Sequence, residues 1–349
     1  MNISQRLATT ATVFVLIGNA MGIETVDSGF NVGKSGNLMA YYAEKGAFRV
    51  GGTSDWQWFN DWHVGAYSTG FGKNTIASGK FAFATGDGCF AGGNWSTAMG
   101  SYSRATGEVS VALGNRVQAN GYGSTALGGE TTTTIEGIFA ITSGYKTYAA
   151  GPYSMAAGIQ SSTSTNSYAG VAMGESSYSN APSAMAFGKQ CNASGGFSAA
   201  FGIQSNTSAN SYAGVAMGEN SYSNGPSAMA FGKQCNASGG FSTATGLMCW
   251  ALGDCTTAMG DQSHAFAYGS AAIGGHTESK SLCSTAIGHY NVGAPGLAWG
   301  PTEPLFEIGN GNPSFRSNAL TVLRNGDMQV QGSVSCAPGG NVPMFTGTN

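Results

Sequence analysis

Apolar and small residues recur along this chain with a period of seven, a spacing that neither an amphipathic helix nor a simple alternating strand produces over such a length. The tripeptide Ala-x-Gly begins at Ala77, Ala84, Ala91, Ala98, Ala105, Ala112, Ala119 and Ala126, and returns at Ala172, Ala186, Ala193, Ala200, Ala216, Ala230, Ala237, Ala244, Ala251, Ala258, Ala272 and Ala286. A helix with a Gly at every seventh residue loses about 1 kcal/mol at each one relative to Ala. Short strands joined by Gly-rich turns tolerate the same spacing. The pattern therefore predicts an all-β solenoid.

The residues flanking each Ala fall into two registers. In one they are apolar or Thr: Val111 and Leu113, Thr125 and Leu127, Val171 and Met173, Met185 and Phe187, Val215 and Met217, Met229 and Phe231. In the other they are mostly polar, as at Gln118 and Asn120, Asn192 and Ser194, Asn236 and Ser238. Side chains alternate faces along a strand. Each 14-residue coil then sets two strands face to face across a thin interior of small residues, one presenting polar groups outward and the other an apolar stripe. Sixteen such rungs, stacked at about 4.8 Å, predict a rod of about 70 Å. An apolar stripe of that length exceeds what a monomer leaves exposed, so a closed homo-oligomer is expected. Met259, Ile273 and Ile287 continue the stripe.

A longer repeat overlies the short one. Residues 158–201 and 202–245 agree at 38 of 44 positions, including SYAGVAMGE and PSAMAFGKQCNASGGFS. Each holds one coil with two extra residues, predicted to bulge around Thr163 to Asn166 and Thr207 to Asn210.

Composition agrees with a solenoid rather than a large aliphatic core. Gly is 56 of 349 residues and only 9% are charged, whereas 42% apolar and 11% aromatic residues at regular intervals argue against disorder. A net charge of −3 with no Lys/Arg cluster gives no electrostatic basis for nucleic-acid binding. Met1 to Arg6 followed by apolar Leu7 to Gly18 and Gly18-Asn19-Ala20 reads as an export signal cleaved after Ala20.

The text STAMGSYSRATGEVSVALGNRVQANGYGSTALG resembles the head repeat of YadA-type trimeric autotransporter adhesins. The resemblance covers about residues 70–300 and implies a left-handed parallel β-roll, three copies of which pack with their apolar strands inward. Val111, Leu113, Leu127, Val171, Met173, Met185, Phe187, Val215, Met217, Met229, Phe231, Met259, Ile273 and Ile287 are then the expected trimer core. The sequence departs from that family after residue 300, where neither coiled-coil heptads nor barrel strands are found. Leu305 to Gly332 instead resembles a module that follows such repeats in bacterial surface and phage tail-fibre-like proteins.

The expected organisation is a signal peptide over 1–20, an N-terminal cap over 21–66, the roll over 67–300 and a C-terminal β cap over 301–349. Little in the chain suggests catalysis. Carboxylates are dispersed, the four His are scattered, and no CxxC pair or phosphate loop stands out; no enzyme activity and no cofactor or metal are expected. Of seven Cys, Cys89, Cys191, Cys235 and Cys249 lie two residues before a frame Ala, in the inward slot. Cys235 and Cys249, one coil apart, fall within disulfide range at about 5 Å. Trp56, Trp58 and Trp62 precede the roll, as end caps or a ligand contact. Phe90, Trp250, Leu252 and Phe266 interrupt the polar register and are the candidate ligand contacts. The expected function is a secreted or cell-surface adhesive fibre head, working through avidity on a matrix, glycan or cell-surface ligand. A virus or phage fibre segment is the alternative, and an ice-binding solenoid a minor one.

Overall fold

The computed structural model describes residues 23–24, 30–34, 37–52, 61–293 and 299–332. The export signal, Trp56, Trp58 and Cys336 lie outside the described residues. Two compact units divide the chain between Phe197 and Ser198. Among the described residues all regular structure is β apart from a 3-10 turn at Asp61–His63 in the first unit.

Both units repeat one coil. In the coil from Val111 to Ser124, a five-residue strand (Val111–Asn115) is followed by a corner, a two-residue strand (Gln118–Ala119) and a second corner. With Val111 as position 1, the interior is filled from positions 2, 7, 9 and 14: Ala112, Val117, Ala119 and Ser124 are all fully buried. Long strands stack in parallel, Ala112 on Ala98 and Ala126, and short strands do the same, Gln118 on Arg104 and Thr132. Nine long strands from Thr69–Lys73 to Met185–Lys189 form the first unit's roll, and seven from Ala199–Ile203 to Thr285–His289 form the second's. These match the sixteen rungs expected from the periodicity. Extra residues in the coils of 16 fall just after the short strand, in turns at Thr165–Asn166 and Ala209–Asn210.

The polar register forms shorter strands than its sequence suggests, because a left-handed corner brackets it on each side. Positions 6 and 13 take φ near +55° in coil after coil, and most of them are not Gly: Tyr67, Phe81, Trp95, Arg116, Tyr153, Gln190, Phe241 and Met248 are among them. Each such residue costs about 1–2 kcal/mol in backbone strain. A hydrogen-bond ladder offsets part of that cost, since the strained N–H donates to a carbonyl of the preceding coil: Phe81 to Ala66 at 2.8 Å, Trp95 to Lys80 at 2.8 Å, Arg116 to Ser101 at 2.8 Å. Ring stacking adds to it, with Tyr67 on Phe81 at 5.0 Å and Phe81 on Trp95 at 5.9 Å between centroids.

Glycine is required where coils touch backbone to backbone. At Gly114, φ is +140° and a Cβ would lie 1.9 Å from the Gly128 carbonyl oxygen. The next Gly of the same column, Gly128, meets Gly144 in the same way. That contact is the physical reason for the Ala-x-Gly period on the long strands.

In each unit a charged residue closes one end of the interior. In the first unit, antiparallel strands Phe30–Lys34, Asn37–Tyr42 and Ala47–Gly52 lead into the roll, the last pairing in parallel with Thr69–Lys73. Arg49 stands opposite Gly70 in that ladder and fills the interior, fully buried. Its guanidinium donates to Ser68 Oγ at 2.7 Å, the Ala77 carbonyl at 2.8 Å and the Phe48 carbonyl at 2.9 Å. Burial pulls its pKa down to about 10, with Tyr42 opposing, so the group stays protonated at neutral pH. In the second unit, Glu307 takes the place next to Ala286, in the strand Pro304–Asn310. Asn291 Nδ2 and Asn318 Nδ2 donate to its two carboxylate oxygens at 2.9 and 2.7 Å. An antiparallel hairpin partner, Asn318–Leu323, and Met328–Val330 complete that end.

Candidate interaction surfaces

Positions 1 and 3 of the long strands point away from the interior and form the apolar ladder that the sequence predicts. In the first unit Leu113 stacks between Met99 and Leu127, and Met173 beside Phe187. In the second, Met217 neighbours Phe231, and Met259, Ile273, Ile287 and Ile308 follow one another. Every residue expected in the trimer core lies on these outward positions. Met217 and Met259 each retain 43% of their surface, Met185 and Met229 39%, and Ile273 38%. The ladder is bordered at position 5 by ion pairs, Glu175 with Lys189 at 3.2 Å and Glu219 with Lys233 at 3.1 Å. All four side chains are about half exposed, so each pair contributes under about 1 kcal/mol.

The opposite, short-strand face is polar except around the residues singled out above. Trp250 and Leu252 occupy positions 8 and 10 of one coil, and His264 and Phe266 the same positions of the next. The His264 ring stacks on Trp250 with centroids 4.7 Å apart and planes 22° apart, and meets Phe266 edge-on at 5.9 Å. Lys280 Nζ lies 5.8 Å from the Phe266 ring centre. Three of the four nominated residues thus come together. His264 completes the cluster and was not nominated, although its position in the 14-residue frame identifies it. Burial lowers its pKa, with Glu278 and the Met248 carbonyl opposing. Phe90 belongs to the first unit, where Arg104 from the next coil covers it at 4.8 Å. Trp62 is 80% exposed.

On the other side of Trp250 a shallow groove runs across three coils, lined by Asn220, Tyr222, Gln234, Asn236, Met248 and Trp250.

Cys89, Cys191, Cys235 and Cys249 are fully buried at position 7, as their place in the frame requires. Cys235 donates to the Gly246 carbonyl at 3.1 Å and Cys249 to the Gly260 carbonyl at 3.2 Å. Interaction with the Cys249 thiol lowers the Cys235 pKa against the effect of burial, and the same interaction together with burial raises that of Cys249.

Among the described residues no group of three or more His, Cys, Asp or Glu is placed to hold a metal ion. No helix among them is long and apolar enough to cross a membrane.

A search of curated protein sequences finds no match. The family model described as the YadA head domain repeat matches residues 64–88, 91–116, 209–234, 223–247 and 251–277. Those segments lie within the stacked coils of both units, with the Ala frame inside and the apolar flanks outside. The parallel β-roll of this chain carries YadA-type head repeats over those segments.

Proposed function

We propose that the chain is the homotrimeric head of an extracellular adhesive fibre, exported through the leader at residues 1–20 and attaching to surfaces through avidity. The observation that carries this reading is the apolar ladder on the long strands of both units. Its Val, Met, Ile, Leu and Phe side chains contribute nothing to the Ala-filled interior, yet they recur in coil after coil where water would meet them. Burying such side chains between copies yields about 25 cal/mol per Å². The head repeats support three copies as the number, because that is how the family assembles. The polar face, half-exposed ion pairs and scattered carboxylates carry no catalytic constellation, and the reading is of a binding surface rather than an enzyme.

Three linked copies of one weak site gain about 10²- to 10⁴-fold over a single copy when all engage one surface. The test is retention of the purified protein on immobilised matrix proteins and on cell surfaces, comparing the native assembly with a Met217→Asp/Met229→Asp variant reduced to single chains. The reading predicts that retention falls by about two orders of magnitude. Equal retention of single chains and assembly would overturn it.

A further inference from the structure

We propose that the groove between Tyr222 and Trp250, on the short-strand face of the second unit, binds a neutral sugar unit of a glycan. The inference rests on the adhesive reading only in that this face stays open when the long-strand face packs against other copies.

The groove is made by the backbone rather than by a loop. Tyr222, Asn236 and Trp250 occupy position 8 of three successive coils, paired Tyr222 to Asn236 and Asn236 to Trp250. Two coil steps separate the aromatic residues, about 10 Å, with the shorter Asn236 between them. Asn220, Gln234 and Met248 form a second column at the left-handed corners, with φ of 52°, 56° and 50°. Tyr222 and Trp250 keep 40% and 44% of their surface. His264 stacks on Trp250 from the far side, which holds the indole in place without covering the groove.

The polar groups in the groove are placed but not used by the protein. Asn236 Oδ1 accepts from Asn224 Nδ2 at 3.0 Å and from Ser238 Oγ at 2.8 Å, which fixes the amide. Among the described residues the Asn236 amide N–H groups, the Gln234 and Asn220 side-chain amides and the Tyr222 hydroxyl form no hydrogen bond. Two aromatic walls and several free amide donors and acceptors suit a ring that is apolar on its C–H faces and hydroxylated at its edge. That description fits a pyranose. No charged side chain lines the groove, and Glu219 and Lys233, next in sequence to Asn220 and Gln234, are paired with each other. A phosphate, sulfate or sialic acid carboxylate would find no cation there, so the sugar unit is neutral.

The internal repeat supplies a comparison. Forty-four residues earlier the sequence has Ser176, Tyr178, Gln190, Asn192, Gln204 and Asn206 at the matching positions. Gln190 and Asn192 keep the amides of Gln234 and Asn236, but Ser stands in place of Asn220, Gln in place of Met248 and Asn in place of Trp250. Trp250→Asn is therefore a substitution that this frame already accommodates.

The experiment is binding of the intact assembly to an array of defined oligosaccharides, neutral hexose and N-acetylhexosamine chains alongside sialylated and sulfated ones. The wild-type protein is expected to retain a subset of neutral glycans. Trp250→Asn should lower that retention at least about tenfold with mass and melting temperature unchanged. Asn236→Ala, a second variant that leaves the aromatic walls in place, should lower it as well, and Tyr178→Ala should not. Retention unchanged in Trp250→Asn, retention of acidic glycans alone, or no retained glycan would each overturn the proposal. Attachment of the wild-type assembly to protein-only surfaces with no glycan retained would remove the groove and leave the adhesive reading standing.

Discussion

Within one coil, the long and short strands share the same buried Ala, the same hydrogen-bond ladder and the same solvent-free interior, yet their outward faces differ. The long strand shows Val215, Met217, Met229 and Phe231 outward, and the short strand shows Tyr222, Asn236 and Ser238. Folding of a single coil does not demand this asymmetry, because neither set reaches the interior. A polar outward face suffices for the short strands, and on the proposed reading the apolar set on the long strands undergoes a second burial, against other copies of the chain. The polar face is correspondingly free to vary, and it does: the Trp250 cluster has no equivalent at the matching positions of the preceding repeat.

Charging the long-strand face gives the largest expected effect. Met217→Asp with Met229→Asp places carboxylates on the face proposed to pack between copies, and should convert the assembly to single chains in light scattering. Tyr222→Asp and Asn236→Asp, on the opposite face of the same coils, should leave the mass unaltered. If both pairs dissociate the assembly, the two faces are not distinct in role.

Next in size is loss of an interior plug. Arg49→Ala removes a buried side chain that fills the first unit's end and satisfies Ser68 and two carbonyls, so thermal unfolding should show a loss of about 2–4 kcal/mol. Glu307→Gln, in the second unit, keeps the shape and part of the hydrogen bonding and should cost about 1 kcal/mol. Trp250→Asn, on the outward polar face, should change stability by less than about 0.5 kcal/mol.

The smallest effect concerns His264. Burial lowers its pKa in the folded chain, so the folded state binds a proton less readily than the unfolded one. Stability is then fully present above the ordinary histidine range and is lost as pH falls through it. His264→Asn should flatten that acid limb of the melting temperature against pH, and an unchanged limb would assign it to other groups.

Most of the roll was legible in the sequence, for a physical reason. Backbone contact between coils forbids a Cβ at Gly114 and its stacked equivalents, and a thin interior admits only Ala, Ser, Thr, Val or Cys, so both constraints are printed every seven residues. The apolar ladder was legible because strand alternation separates inside from outside. The left-handed corners were hidden, since Tyr, Phe, Trp, Arg and Gln stand where Gly is the usual signal, held by hydrogen bonds to the preceding coil and by stacking. Arg49 and Glu307 were hidden too, because a charged residue in a strand reads as solvent-facing until its partners are seen. Of the short-strand site, Trp250 and Phe266 stood out as breaks in a polar register. The groove beside Trp250 did not, because Asn236 and Gln234 look like any other polar residue of that face until the stacking sets them between two aromatic rings.

The central claim is that the long-strand ladder is buried between three copies, and the absolute mass of the purified mature protein tests it most directly. Light scattering after size exclusion should return three times the mass of one chain, which is 35.4 kDa with its leader. A mass equal to one chain, with the ladder open to water, would contradict the account.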